Sequence, residues 1–335
     1  MDEWSNDFFS SISIEQIKED QSWEPKIWGV IGASGFIGKA VCEGLEKEGF
    51  EVVKLKAPRL SLISADRNVK NISESARSYS EKELLARKLA KCDVVVNAAG
   101  LATPDGAEKD ILFGANSLLP AVLLESARIA NVGRFIHLSS AAVQGNRKTI
   151  DESISYSPFS DYSLSKALGE AALFNTISEF DSPTELVVIR ATSVQGRGRQ
   201  TTKNLKRISR SLFSSVSAPG NQPTVVSSLP GLVSFVRTVG LETSNLNPVQ
   251  LQPWEKVSVS QVLEAAGGRK PLVIPRRLCQ TVIGLAHLVT SLIPKFNGPV
   301  RRLELMWFGQ TQNSTQYEDF FADSSLVLKI LEADE

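Results

Sequence analysis

Short apolar runs alternate with helical stretches along the first 190 residues. The runs 27–31 ("IWGVI"), 51–55, 93–98 ("DVVVNA"), 133–138 ("GRFIHL") and 186–190 ("LVVIR") have the length and Val/Ile content of strands. Between them, 38–48, 80–91, 115–131 and 161–179 read as helices. Strands that are apolar on both faces and separated by helices predict a parallel sheet covered on both sides. Parallel crossovers are right-handed, so the expected class is α/β, a doubly wound parallel sheet whose ligand sits at the carboxyl ends of its strands. The rhythm is lost over 195–230, which is rich in Ser, Gly and Pro and carries the basic run "QGRGRQTTKNLKRISRS". The reading is therefore an N-terminal extension over 1–25, a sheet domain over 26–194, and a smaller C-terminal substrate lobe within 195–335, interleaved with the core.

Composition narrows the function classes. The chain has 335 residues, a formal net charge of zero and 42% hydrophobic residues, ample for a large core. Neutral balance argues against a nucleic-acid or acidic-membrane partner held by bulk charge. Cys42, Cys92 and Cys279 have neither metal-ligand spacing nor an even disulfide count, which suits a reducing cytoplasm. The acidic N-terminal stretch has no long apolar core and does not read as a secretory signal. The apolar segment 278–294 is short for a membrane span and contains Gln280 and His287, so it reads as a buried or surface-docking helix.

Candidate chemistry begins where the first strand ends. "GASGFIG" places Gly32, Gly35 and Gly38 three residues apart between a strand and a helix. A pyrophosphate needs a tight turn, close backbone approach and N–H groups at a helix start. The same glycines also suit a tight turn that binds nothing. In "DYSLSKALGEAAL", Tyr162 and Lys166 share one helix face. A lysine beside a phenol favours the phenolate, giving a side chain able to exchange a proton with a substrate oxygen. In "FIHLSSAAVQG", Ser139 and Ser140 end a strand at the expected ligand edge, where a hydroxyl can bind the same oxygen. Helix-face and turn hydrogen bonding are the plain alternatives for these residues. His137, inside its apolar strand, reads as a core residue.

Taken together and in this order, the stretches resemble the extended short-chain dehydrogenases/reductases, of the NAD-dependent epimerase/dehydratase family that acts on nucleotide sugars. "DVVVNAAGLA", Asn116 in "GANSLLPAVLLESA", "LSSAAVQG", "YSLSK", "RATSVQGRG" and "FADSSLVLKIL" are similar to further stretches of that family. The resemblance implies a Rossmann fold and a catalytic set of Ser140, Tyr162 and Lys166, with Lys166 lowering the phenol's pKa and holding the nicotinamide ribose. It implies cofactor contacts from Gly32, Ser34, Gly35, Phe36, Ile37 and Gly38, from Lys56, from Ala98, Ala99 and Gly100, and from Asn116, Ser139, Tyr162 and Lys166. Substrate contacts would come from Ser140, Gln144, Ser193 and Arg199. It also implies a homodimer.

Three departures qualify this. NAD-binding members carry an acid after the second strand; here Lys56 stands there, with Lys54 and Arg59 nearby, which favours NADP over NAD. Sugar dehydratases carry acids after the catalytic hydroxyl; Ala141 and Ala142 cannot move a proton, which leaves epimerisation or keto-reduction. Gln144, Ser193 and Gln195 replace the family's Tyr, Asn and Tyr on the substrate side, so the sugar is open. One or two of Arg197, Arg199, Lys203, Lys206, Arg207 and Arg210 could clamp a diphosphate. Two other readings stay open: a reductase of a steroid-like or other hydrophobic alcohol, and a non-catalytic dinucleotide-binding subunit.

Overall fold

β1 (Ile27–Ile31) lies inside the sheet because its side chains are apolar on both faces: Trp28, Val30 and Ile31 are buried. It belongs to a computed structural model that describes residues 24–102, 108–179, 182–293, 296–317, 320 and 326–333. Residues 1–23 of the expected N-terminal extension, and 321–325 of the expected terminal motif, lie outside the described residues.

After β1 come α1 (Phe36–Lys47), β2 (Glu51–Leu55), α2 (Val69–Ser78), α3 (Lys82–Leu89) and β3 (Val94–Asn97). α4 (Lys109–Ile129) contains a π-turn over Gly114–Leu118, and β4 (Arg134–Ser140) follows. Next are β5 (Thr149–Ile150), α5 (Asp161–Ser178), β6 (Glu185–Ala191), β7 (Ser193–Gln195) and α6 (Gln200–Arg210). The chain continues through β8 (Ser215–Ser217), β9 (Val226–Ser228), α7 (Leu229–Leu241), β10 (Val249–Leu251) and α8 (Val259–Gly267). It closes with β11 (Leu272–Ile274), α9 (Arg276–Leu292), α10 (Asn297–Phe308), β12 (Thr311–Gln312) and α11 (Leu326–Glu332).

The central sheet has six strands in the order β2-β1-β3-β4-β6-β10. β1 pairs in parallel with β2 and β3, and β3 with β4, in the register Val30↔Lys54, Val30↔Val96 and Val96↔Ile136. This is the doubly wound sheet that the alternating pattern predicts. The five predicted strands are present. The sixth, β10, is only three residues long, too short for the pattern to show. α2 also went unread, because its residues are mostly polar and only Ile72, Ser73 and Ala76 are buried.

The chain forms two compact units. One holds the described residues up to Ser139 together with Leu168–Ile189 and Leu229–Gln250; the other holds Ser140–Ala167, Arg190–Ser228 and the described residues from Leu251 on. Residues 229–250, within the stretch read as the smaller lobe, thus belong to the first unit.

In the first unit Leu123, Leu124, Phe135, Leu173 and Val188 form one buried cluster, and Leu62, Ile72, Phe113, Val122 and Ala172 another. Each such large side chain contributes about 1.5–3 kcal/mol by leaving water. α4 is long and apolar enough to cross a membrane, but 83% of its apolar window is buried in the protein, as in a core helix. The Trp28 ring lies against α7 at Gly240, where an added Cβ would stand 2.0 Å from the ring. Arg134 donates to the carbonyls of Val239 (2.6 Å) and Gly240 (3.2 Å) and to Glu185. Its cation thus meets the negative end of the α7 dipole.

In the second unit two arginines fix the loop after β4. Arg190 donates to the carbonyls of Asp151 (3.0 Å) and Ser153 (2.9 Å). Arg301 donates to those of Gly145 (2.7 Å) and Arg147 (3.0 Å). Val226, Val262, Val327 and Leu331 form a core cluster in this unit.

Candidate active site

In the first unit the glycines make a turn that side chains would block. Gly32 has φ +84°, and a Cβ there would lie 2.8 Å from the backbone nitrogen of Ala99. A Cβ on Gly38 would lie 2.1 Å from the Gly32 carbonyl oxygen. Gly35 donates to that same oxygen at 2.9 Å, and Gly32 donates to Leu55 at 3.1 Å. Gly35 is the N-cap of α1; no side chain caps the helix, and its first turn carries no acid. A helix start of this kind favours an anion. Ser34, Gly35 and Phe36 are exposed at the tip, Ile37 is half-buried and Gly38 is buried.

The loop after β3 is held in place by Asn116. Its side-chain oxygen accepts from the Leu101 amide at 2.9 Å, and its nitrogen donates to the Leu101 carbonyl at 2.9 Å. Asn116 is buried in the π-turn of α4, a distortion frequent at functional sites. The same loop carries Ala98, Ala99 and Gly100; Ala98 donates to Ile31 at 3.0 Å, and Ala99 to the Asn97 side chain at 3.1 Å. Asn97 also meets Nδ1 of the buried His137 at 3.1 Å, so His137 is a core residue, as its apolar strand suggested. Beyond β2, Lys54 pairs with Glu46 at 2.6 Å, which raises its pKa, while Lys56 and Arg59 are exposed. Ser139, buried at the end of β4, donates to the buried carboxylate of Glu170. The sequence reading missed Glu170. Its signal was spacing: it stands one further step of four beyond Lys166, as Lys166 does beyond Tyr162.

In the second unit a hydroxyl pair forms. Ser160 and Ser163 build the start of α5: the amides of Phe159 and Ser160 each donate to Ser163 Oγ at 2.9 Å, and the Ser163 amide donates to Ser160 Oγ at 3.2 Å. Tyr162 is thereby fixed in the first turn. The Ser140 hydroxyl acts on its phenol to lower the pKa, and Ser140 Oγ accepts from the Ala142 amide at 3.2 Å. Lys166 is buried one turn along the same helix.

The electrostatics correct one expectation. Burial holds the Tyr162 phenol above its ordinary pKa of 10.0, against the lowering effects of the Ser140 hydrogen bond and the Arg199 charge. The charge of Arg199 acts on the phenol to lower it. Burial also lowers Arg199 from the usual guanidinium range, opposed by Tyr162. Arg199 donates to the Val194 carbonyl, which sets its position.

Gln144, expected to touch substrate, is instead buried and bonded within its own loop. Its nitrogen donates to Asp151 at 2.9 Å and to the Ser155 carbonyl at 3.1 Å, and its oxygen accepts from the Asp151 amide at 2.8 Å. Ser193 is exposed and accepts from Gln195 at 3.0 Å; Gln195 in turn accepts from Thr202 at 3.0 Å. Among the described residues no cluster of His, Cys, Asp and Glu could hold a metal ion.

The chain has the fold of several solved enzymes. It is 20% identical to UDP-glucuronic acid 4-epimerase from Bacillus cereus in complex with NAD, with 92% of this chain and 97% of that chain covered and a TM-score of 0.60. It is 18% identical to MoeE5 in complex with UDP-glucose and NAD, with 91% and 97% covered and a TM-score of 0.60. It is 17% identical to dTDP-4-dehydrorhamnose reductase from Bacillus anthracis in complex with NADP, with 75% and 84% covered and a TM-score of 0.52. A search of curated protein sequences finds no match. The profile of one family matches residues 28–236, which include the glycine turn, Asn116, Ser140, Tyr162, Lys166 and Arg199. The chain belongs to the NAD dependent epimerase/dehydratase family.

Proposed function

We propose that the protein interconverts a hydroxyl and a ketone on the sugar of a nucleotide-activated sugar, and that it acts as an epimerase. The observation that carries this is the placement of Tyr162 where the Ser140 hydroxyl and the Arg199 cation both act on its phenol. The turn of Gly32, Gly35 and Gly38 would hold the dinucleotide phosphates, and the loop Ala98–Gly100, tied by Asn116, would lie along the cofactor. When bound, a nicotinamide supplies the hydride exchange. Tyr162 gives its proton to the ketone oxygen, or takes one from the hydroxyl. Ser140 holds that same oxygen. Arg199 stabilises the phenolate left behind. Ala141 and Ala142 offer no acid for eliminating water, which favours epimerisation or reduction over dehydration. The fold neighbours that bind UDP-sugars with NAD support the epimerase reading.

A second reading, an NADP-dependent keto-reductase, is favoured by Lys56. It is exposed where an acid would repel a 2′-phosphate, and Arg59 lies near it in the sequence. Fluorescence titration with NADH and NADPH, followed by chromatography of UDP-sugars incubated with the protein, separates the two. An epimerised UDP-sugar with NAD bound supports the first reading. Tight NADPH binding and consumption on 4-keto sugars supports the second. Failure to bind either dinucleotide by folded protein free of copurified nucleotide overturns both.

A further inference from the structure

α9 has two apolar faces where one is expected. Cys279, Ile283 and Thr290 are buried, and with Trp307 of α10 the first two form a core cluster. On a wheel of 3.6 residues per turn, Leu278, Val282, Leu285, Val289 and Leu292 fall within an arc of about 80°, centred roughly 120° from the buried stripe. All five are exposed, Leu292 by 83%. The same unit exposes further apolar side chains. β11 presents Leu272 and Val273, and the loop that pairs with it presents Leu212 (89% exposed) and Phe213 (81%). That loop is fixed in place: Leu272 donates to the Ser214 carbonyl at 2.8 Å, and Arg269 donates to the carbonyls of Arg210 (3.1 Å) and Ser211 (2.6 Å).

The charge around this surface is mostly positive, with two acids at its margins: Glu264 is exposed, and Glu304 lies 3.8 Å from His287 of α9. From residue 265 to 303 the sequence holds seven Lys and Arg and no Asp or Glu. The preceding helix, α6, is equally one-sided: Lys203, Lys206, Arg207 and Arg210 are its only charged residues. These four and Ser211 line a cavity of about 400 Å³ at the foot of the exposed Leu212–Phe213 loop. A two-fold contact between copies of this surface would set the same cations against one another. A surface that is apolar in the middle and anionic around it satisfies both features at once. An interfacial helix with apolar residues on one side and Lys or Arg beside them has this character.

We propose that α9, β11 and the Leu212–Phe213 loop dock the protein on an anionic lipid bilayer, the apolar side chains entering the acyl boundary. The basic cavity of α6 takes a lipid phosphate. Docking lies on the surface rather than across the membrane, because the polar face of α9 carries Gln280, His287 and Ser291.

The test is co-sedimentation of the full chain with vesicles of phosphatidylcholine alone and of phosphatidylcholine with an equal part of phosphatidylglycerol. The expected result is strong binding to the mixed vesicles, weak binding to the neutral ones, and loss with added salt. Two paired variants, Leu212→Ser with Phe213→Ser and Leu285→Ser with Leu292→Ser, should each weaken binding about tenfold or more while leaving the unfolding midpoint unchanged. Arg207→Glu with Arg210→Glu should remove the preference for the anionic vesicles. Equal binding to both vesicle types, no binding to either, or unchanged binding in the serine variants overturns the proposal. A dimer in sedimentation that dissociates in Leu285→Ser with Leu292→Ser, without vesicle binding by the parent chain, overturns it in favour of a second copy.

Discussion

The hydroxyl of Ser140, the last residue of β4, acts on the phenol of Tyr162 in the first turn of α5 and lowers its pKa against the effect of burial. In the proposed reaction one substrate oxygen binds between the two hydroxyls, with Tyr162 as its proton partner. Tyr162→Phe removes that proton and little volume. Turnover should fall at least about a hundredfold, the usual scale for a positioned acid or base. Dinucleotide affinity should stay within about twofold. Near-normal turnover in steady-state assays would remove Tyr162 from the reaction.

The raised pKa of Tyr162 sets the sign of the pH dependence. The resting phenol is protonated at neutral pH, so ketone reduction, which consumes that proton, should be flat through neutrality. Alcohol oxidation needs the phenolate, so its rate should climb with pH toward values above the ordinary 10.0. Arg199 pulls the phenol down, so Arg199→Met should push the climb further to alkaline pH. Oxidation at mildly alkaline pH should drop about tenfold for each unit of displacement. Rate profiles of both proteins check this, and an acidic displacement would refute the role given to Arg199.

These two residues show what the sequence discloses. Gly32, Gly35 and Gly38 are legible because a turn that excludes side chains leaves a spacing. Ser140 and Tyr162 are legible because strand end and helix start are local features. The sign of the Tyr162 shift is not, because it depends on how much protein covers the phenol, and helical spacing does not report burial. The action of Arg199 on Tyr162 is not legible, because nothing local ties it to a residue 37 positions earlier. Gln144 looked like a substrate contact for the same reason: its partners at Asp151, Ser153 and Ser155 become visible only once the loop is folded.

Asn116→Ala should cost about 2 kcal/mol, since two 2.9 Å hydrogen bonds are lost and both backbone groups of Leu101 lose their partner. The loop it releases carries Ala98, Ala99 and Gly100, so dinucleotide affinity should fall as well. Urea unfolding with and without dinucleotide separates the two effects. If Asn116 matters only to the fold, dinucleotide affinity measured in the absence of urea will be unchanged.

Gly38→Ala should lower stability by about 2 kcal/mol or more, because the new Cβ would stand 2.1 Å from a backbone oxygen that cannot swing away. Dinucleotide binding should be lost with it. Gly284→Ala is the contrasting case. It lies in an exposed part of α9 with nothing near its Cβ, and should gain about 0.5–1 kcal/mol from helix propensity. Thermal unfolding of both variants reads the difference.

Glu255 ties α11 to β9: its two oxygens accept from the amides of Ser228 at 2.8 Å and Val327 at 2.6 Å. Burial nevertheless raises its pKa from 4.5, outweighing these hydrogen bonds. The folded state therefore holds this proton more tightly than the unfolded one. The group's contribution to stability is full below 4.5 and is lost as pH rises through the raised value. Glu255→Gln replaces one acceptor by an NH₂ that faces a backbone amide, at a cost of about 1–3 kcal/mol. Glutamine does not titrate, so the stability gap between parent and variant should be widest at acidic pH and narrow as pH rises. Urea midpoints across this range measure the gap directly, and a gap that widens with pH would mean the carboxylate is stabilised by its site instead.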